Sequence, residues 1–219
     1  MADWDDSQRR LTIKIVYYGP ALSGKTTNLM RLHDLCAAEL VGDMMTLETQ
    51  NDRTLFFDLL PLGFHTPSGW LVKFKLYTVP GQVAHDSTRK ALLSRADGVV
   101  FVADSQRNQG INNGVAFDSL AENAARVGLD FAALPLVVQF NKRDLTDVVP
   151  EEEIRARWAS TGWPVVLASA VAGQGVRETF GLLLEHVFDG LQRQVEHTAL
   201  AGMDRAAFVT AALGAARRT

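Results

Sequence analysis

Apolar and polar positions change period along this chain, and each period predicts a different element. The run LTIKIVYYG at 11–19 puts Ile13 and Ile15 on one face of a strand. Residues 25–40 follow with Leu29, Leu32, Cys36 and Leu40 at helical spacing. Two extended runs, 55–60 and 71–78, flank a Pro/Ser/Gly turn at 67–69, which predicts a hairpin. The runs at 98–103, 136–140 and 165–167 are short and almost wholly apolar, as parallel strands buried on both faces are. Helical patterns at 85–94, 112–127 and 151–160 separate them. Pro150 followed by Glu151, Glu152 and Glu153 marks a helix start, because proline and negative charge both suit the first turn. Strands alternating with helices predict an open α/β sheet with helices on both faces.

The last part of the chain carries two helical stripes. The first runs through Val176, Phe180, Leu183, Leu184, Val187, Phe188, Leu191 and Val195, and the second from Met203 through Ala206, Val209 and Leu213 to Arg218. The division this suggests is a domain over 1–192 and a helical extension of it over 193–219. The extension either packs on its own domain or serves a partner or oligomer.

A chain of 219 residues with 47% hydrophobic and 21% charged content is long enough for one ordinary domain with a real core. A net charge of −3 speaks against a sequence-independent nucleic-acid binder, which needs a strong positive excess. The lone Cys36 has no disulfide partner within the chain, which fits a reducing compartment. No signal-peptide pattern opens the sequence and no apolar run approaches the ~20 residues of a membrane span. Ala2 stands where myristoylation requires glycine, and the final Ala-Arg-Arg-Thr is not a prenylation box. The expected location is cytoplasmic, without direct membrane insertion.

The chemistry begins at Gly19-Pro-Ala-Leu-Ser-Gly-Lys-Thr, which fits G-x-x-x-x-G-K-[ST] between a strand and a helix. Backbone N–H groups from Gly19 through Ala21, Leu22, Ser23 and Gly24 to Lys25, Thr26 and Thr27 are expected to wrap phosphates, aided by the helix N-terminus. Lys25 would reach the β- and γ-phosphate oxygens and Thr26 would place its hydroxyl on Mg²⁺. The base is read from Asn141-Lys142-Arg143-Asp144, directly behind a buried strand. A carboxylate at Asp144 accepts from guanine N1–H and the 2-amino group. Adenine offers neither donor, and a site left with an unmatched polar group rejects the wrong ligand strongly. Asn141 would tie loops together and the Lys142 stem would cover the base. Ser169-Ala170-Val171 follows the last strand, and the N–H of Ala170 could meet guanine O6.

Taken together, the chain resembles the Ras-like small GTPases over residues 11–192. Within them it resembles the bacterial MglA-type branch linked to gliding and polarity. The residues that carry this are IVYYGPALSGKTTN (15–28), DRTLFFDLLPL (52–62), LYTVPGQV (76–83), DGVVFVADSQ (97–106) and FNKRDL (140–145). The resemblance implies a six-stranded, mostly parallel sheet with one antiparallel strand, and a GTP/GDP cycle with Mg²⁺. It also implies a roadblock-domain homodimer, MglB-like, as GTPase activator, with effectors that the sequence does not identify. Three positions depart from the wider pattern. Thr78 replaces the Asp of Asp-x-x-Gly, leaving the usual carboxylate near Mg²⁺ missing. Ala21 replaces a glycine beside the reacting phosphate, and Val171 replaces a lysine.

Hydrolysis by such a site rests on positioning and charge stabilisation. Gln82 is placed to orient the attacking water, Gly81 to sense the γ-phosphate, and Thr54 to close over Mg²⁺. Arg53 is the candidate cation supplied in cis, beside Lys25; a surface arginine paired with Asp52 is the other reading of its spacing. A loop that orders Arg53 and Gln82 only on a partner would make intrinsic turnover slow. Ala21 and the missing carboxylate keep a second reading open, a scaffold that holds GTP with negligible hydrolysis.

Overall fold

A computed structural model describes residues 2–49, 55–80, 86–193 and 198–214. The expected sheet forms and is larger than expected. Its strands are β1 (Asp3–Asp5), β2 (Arg10–Tyr18), β3 (Met45–Thr49), β4 (Leu55–His65), β5 (Leu71–Thr78), β6 (Gly98–Asp104), β7 (Leu136–Asn141) and β8 (Val165–Leu167). They run in the order β3-β4-β5-β2-β6-β7-β8, with β1 added antiparallel to β2. The six-strand expectation is thus corrected to eight, and the antiparallel pairs are β1–β2, β3–β4 and β4–β5. Both additions are short segments whose polar residues hide the strand pattern, DWD and MTLET.

The helices are α1 (Lys25–Leu35), α2 (Asp86–Leu93), α3 (Gly110–Arg126), α4 (Glu151–Trp158), α5 (Val176–Gln192) and α6 (Arg205–Leu213). They cover both faces and bury two cores. On one side Leu11, Ile13, Ile15 and Tyr17 of β2 meet α1, α5 and α6. On the other, Val16 and Tyr18 meet apolar residues of α2, α3 and α4. A strand that alternates between two buried faces explains why β2, β6 and β7 are so apolar. None of the helices among the described residues is long and apolar enough to cross a membrane.

Local chemistry sets the helix ends. Helix α1 stops five residues before the apolar spacing suggested, because Cys36 is extended (φ −80°, ψ 159°) and caps the helix by donating to Leu32 O. Leu40 instead belongs to a separate 3₁₀ turn, Ala38–Leu40. Helix α4 follows Pro150 and is laced by Arg155–Glu151 and Arg157–Glu153 pairs one turn apart. In α6, Asp204 accepts from Ala207 N–H at the start, and Gly214 at φ 68° ends it.

Helix α6 lies against α5 and β4 and carries Phe208 into the first core. Its ring sits 5.7 Å from Phe64, 5.9 Å from Phe74 and 5.1 Å from Phe188. Arg177 gathers the ends of two helices: it donates to Leu35 O at the close of α1 and to Leu213 O and Gly214 O at the close of α6. The parallel strands meanwhile all end on one edge of the sheet, where the motif loops collect, as ligand sites of open α/β sheets do.

Candidate functional site

The phosphate loop leaves β2 at Gly19 and enters α1 at Lys25. Its two glycines are required by contact as well as conformation. A Cβ on Gly19 (φ 148°) would lie 2.2 Å from Val102 O, and one on Gly24 (φ 95°) 2.2 Å from Asn141 Nδ2. Between them Leu22 adopts φ 61° and is almost fully exposed, as is usual for neither a leucine nor a core residue. Ser23 is fully buried, and its Oγ has no hydrogen-bond partner inside the protein. Ala21 is exposed on the same turn.

Lys25 is buried and folds back over the loop, donating to Gly19 O at 3.0 Å and Pro20 O at 2.6 Å. Burial lowers its pKa to about 8; nearby Arg89 adds to this and Asp58 opposes it. An anion in the cradle would favour the charged form and raise this pKa again. Thr26 donates to Asp58 Oδ2 at 2.6 Å. Thr27 is half-buried one position further along α1.

The loops expected to read guanine are tied to the same cradle. Asn141 donates to Ser23 O at 2.8 Å and accepts from Ala170 N–H at 2.8 Å, so one side chain joins three loops. The N–H of Ala170 that the sequence offered to guanine O6 is here committed to Asn141. Asp144 is exposed, and its Oδ1 accepts from Ser169 Oγ at 2.6 Å. Val171 is exposed, and its carbonyl accepts from Arg31 twice, at 3.1 and 2.8 Å. Lys142 sits at φ 68° with Nζ 2.6 Å from the buried Asp104. Asp104 in turn accepts from Gln106 N–H, while its own N–H and C=O are both met by the Asn113 amide. Asp104 therefore caps its loop and holds Lys142.

With this geometry in place, the comparisons are decisive. The sequence model of the ADP-ribosylation factor (Arf) family matches residues 5–187. The mutual gliding-motility protein MglA of Myxococcus xanthus is 44% identical over 187 residues, covering 85% of this chain and 96% of that protein. The chain belongs to the MglA-type small GTPases. A weaker likeness, 28% over 150 residues, links this GTPase to elongation factor 4 of Latilactobacillus sakei, of which only 23% is covered.

Family membership makes this GTPase a GTP-binding switch and implies guanine nucleotide, usually with Mg²⁺. The residues present fit such a ligand: a cradle closed to any Cβ, a buried lysine, a buried serine hydroxyl without a protein partner, and hydroxyl and carboxylate oxygens 2.6 Å apart. Oxygen donors suit Mg²⁺. Among the described residues no three His, Cys, Asp or Glu side chains gather around one point.

The residue that sequence reasoning missed is Asp58. The carboxylate usual in the wider Ras-like pattern is absent at Thr78, yet a carboxylate from a different strand lies within hydrogen-bond reach of Thr78. Asp58 of β4 is buried and accepts from Thr26 Oγ1 at 2.6 Å, Thr78 Oγ1 at 2.9 Å and Thr46 Oγ1 at 3.1 Å. Its backbone N–H donates back to Thr78 Oγ1 at 2.9 Å. The signal was present: one charge at an inward position of the apolar run LFFDLL. Four other residues, Arg53, Thr54, Gly81 and Gln82, lie outside the described residues.

Proposed function

We propose that this GTPase hydrolyses GTP to GDP slowly alone and faster on a partner, and works in bacterial cell polarity or gliding motility. The closely similar relative is named for gliding motility, which supports the cellular setting. A roadblock-domain homodimer is the candidate activator. The single observation that carries the chemistry is the Lys25–Thr26–Asp58 group at the head of α1.

In this reading the loop N–H groups bind the phosphates and Lys25 turns from the Gly19 and Pro20 carbonyls toward them. Thr26 and Asp58 would hold Mg²⁺, directly or through water, with Thr54 joining from the first switch; when bound, the ion would offset charge on the phosphates. Gln82 orients water, and Arg53 stabilises the charge that grows in the transition state, a contribution on the order of 10³–10⁵ in rate. Asn141, Lys142, Asp144, Ser169, Ala170 and Val171 surround the base. Residues 1–192 form the GTP-binding domain and 193–219 its helical extension, as the packing of α6 on α5 and β4 supports.

The competing scaffold reading rested on Ala21 and on the missing carboxylate. Asp58, hydrogen-bonded to Thr26 and Thr78, speaks against the second motive. Single-turnover GTP cleavage with and without a purified roadblock partner tests the proposal: Arg53→Ala and Gln82→Ala should keep GTP binding and lose the stimulated rate. Parent-like hydrolysis by both variants would refute the assignment. Chromatography of the nucleotide released on denaturation identifies what the protein holds.

A further inference from the structure

The outer face of the β4–β5–β2 sheet carries exposed cations that the nucleotide site does not use. Along β5, Val72, Phe74 and Leu76 point into the core while Leu71, Lys73, Lys75 and Tyr77 point the other way. Along β4 the outward set is Leu59, Pro61, Gly63 and His65. Tyr77 and Phe57 pack against the α2-side core at the top of this face. Below them Lys73, Lys75 and His65 are exposed.

The register concentrates positive charge there. Lys75 lies directly across from Lys14 on β2, and Lys73 across from Thr12. Like charges directly opposite each other destabilise a sheet. Lys14 cannot swing clear: its Nζ donates to Ser94 O at 2.9 Å and lies 5.5 Å from the centre of the Tyr77 ring. Burial lowers the Lys14 pKa; attraction to Asp97 opposes this, and repulsion from Arg95 and Lys75 adds to it. Among the described residues Lys73 and Lys75 form no ion pair, whereas Arg10 at the far end of the face is paired with Asp5 at 3.2 Å. A groove of about 810 Å³ runs beside these lysines, walled by Val41, Gly42, Met45 and Pro61.

We propose that this face binds an acidic, extended segment of a partner protein. Alternate side chains of an extended chain repeat at ~6.6–6.8 Å, so carboxylates two residues apart match Lys73 and Lys75. Exposed Met45 and half-buried Pro61 give the segment apolar contact beside the charges. A narrow ligand fits better than a broad anionic surface, because Asp3, Asp5 and Glu39 flank the lysines and a membrane would press on them as well.

The test uses the whole chain and a fluorescein-labelled peptide of alternating Glu and Thr, with a Gln/Thr peptide as control, read by fluorescence anisotropy. The parent should bind the Glu peptide in low salt, more weakly in high salt, and the Gln peptide far less. The double variant Lys73→Glu, Lys75→Glu should bind the Glu peptide at least tenfold more weakly while retaining GDP like the parent, which shows that it is folded. No binding by the parent, equal binding of the two peptides, or parent-like binding by the variant overturns the proposal. Co-sedimentation of the parent but not the variant with phosphatidylserine vesicles, without discrimination between the peptides, assigns the face to a membrane and overturns it too.

Discussion

Replacing Asp58 by Asn separates a metal-holding carboxylate from a merely structural one. The amide keeps the size of the side chain and one acceptor but loses the charge. Three threonine hydroxyls donate to the carboxylate, and each can rotate to accept from an amide instead. Hydrogen bonds to a charged group are worth ~1.5–3 kcal/mol and neutral ones ~0.5–1.5, so each of the three contacts that loses its charge assistance should cost the fold about 1 kcal/mol. The loss in Mg²⁺ dependence should be larger in relative terms, ~10–100-fold, as for other residues that orient a metal or its ligands. The assay is the dissociation rate of a fluorescent GDP analogue, in Mg²⁺ and in EDTA. Asp58→Asn should release GDP ten- to a hundredfold faster in Mg²⁺ and at the parent rate in EDTA. A second substitution sharpens the test, because Thr78 Oγ1 is 2.9 Å from the carboxylate. Thr78→Asp alone puts two carboxylates in contact, a repulsion on the order of 4 kcal/mol before one of them takes up a proton to relieve it. Combined with Asp58→Asn, the same change returns a single carboxylate to the site. The double variant should therefore retain GDP better than either single variant. Equal Mg²⁺ sensitivity in parent and Asp58→Asn, or a double variant no better than its parents, refutes the reasoning.

Ala21→Gly should raise single-turnover hydrolysis if the methyl crowds the transition state, since a misplacement of ~1 Å can cost about 10²-fold; an unchanged rate shows that the loop already accommodates it. Cys36 is buried, and burial pushes its thiol up to about 11, so the reactive thiolate is withheld well above the pH at which an ordinary thiol ionises. Native protein at pH 8.5 should react with iodoacetamide far more slowly than urea-unfolded protein, and equal rates would contradict that burial. Phe208→Ala empties a fully buried ring site between three other phenylalanines and should cost ~3–5 kcal/mol in urea unfolding. A loss below 1 kcal/mol would mean that α6 adds little to the core.

Legibility followed the range of the interaction. Strands β6 and β7 were plain because burial on both faces leaves an unbroken apolar word in the sequence. Strand β4 runs on through Pro61 and Gly63 to His65, past the point where its pattern fades, because pairing with β5 holds it straight. Pro61 keeps its carbonyl useful there by accepting from Gly42 N–H. The 3₁₀ turn after α1 was invisible, since Leu40 keeps helical spacing although the chain has turned extended at Cys36. At the site, the loop and the N-K-R-D run are local words and were read directly. Asp58 and Lys142–Asp104 are not local: one depends on β4 lying beside α1, the other on two loops meeting 38 residues apart. Their chemistry exists only once the sheet order brings them together.

The position of α6 in the chain has a consequence for synthesis. Phe64, Phe74 and Phe188 all leave the ribosome before Phe208, the ring that closes over them. At ~5–20 residues per second, the aromatic face spends a few seconds finished but unroofed. A message cut short before Arg205 would yield a chain with its phosphate loop and base-reading loops complete and a greasy flank exposed. Such a product should bind nucleotide and yet present an aromatic flank to chaperones and proteases.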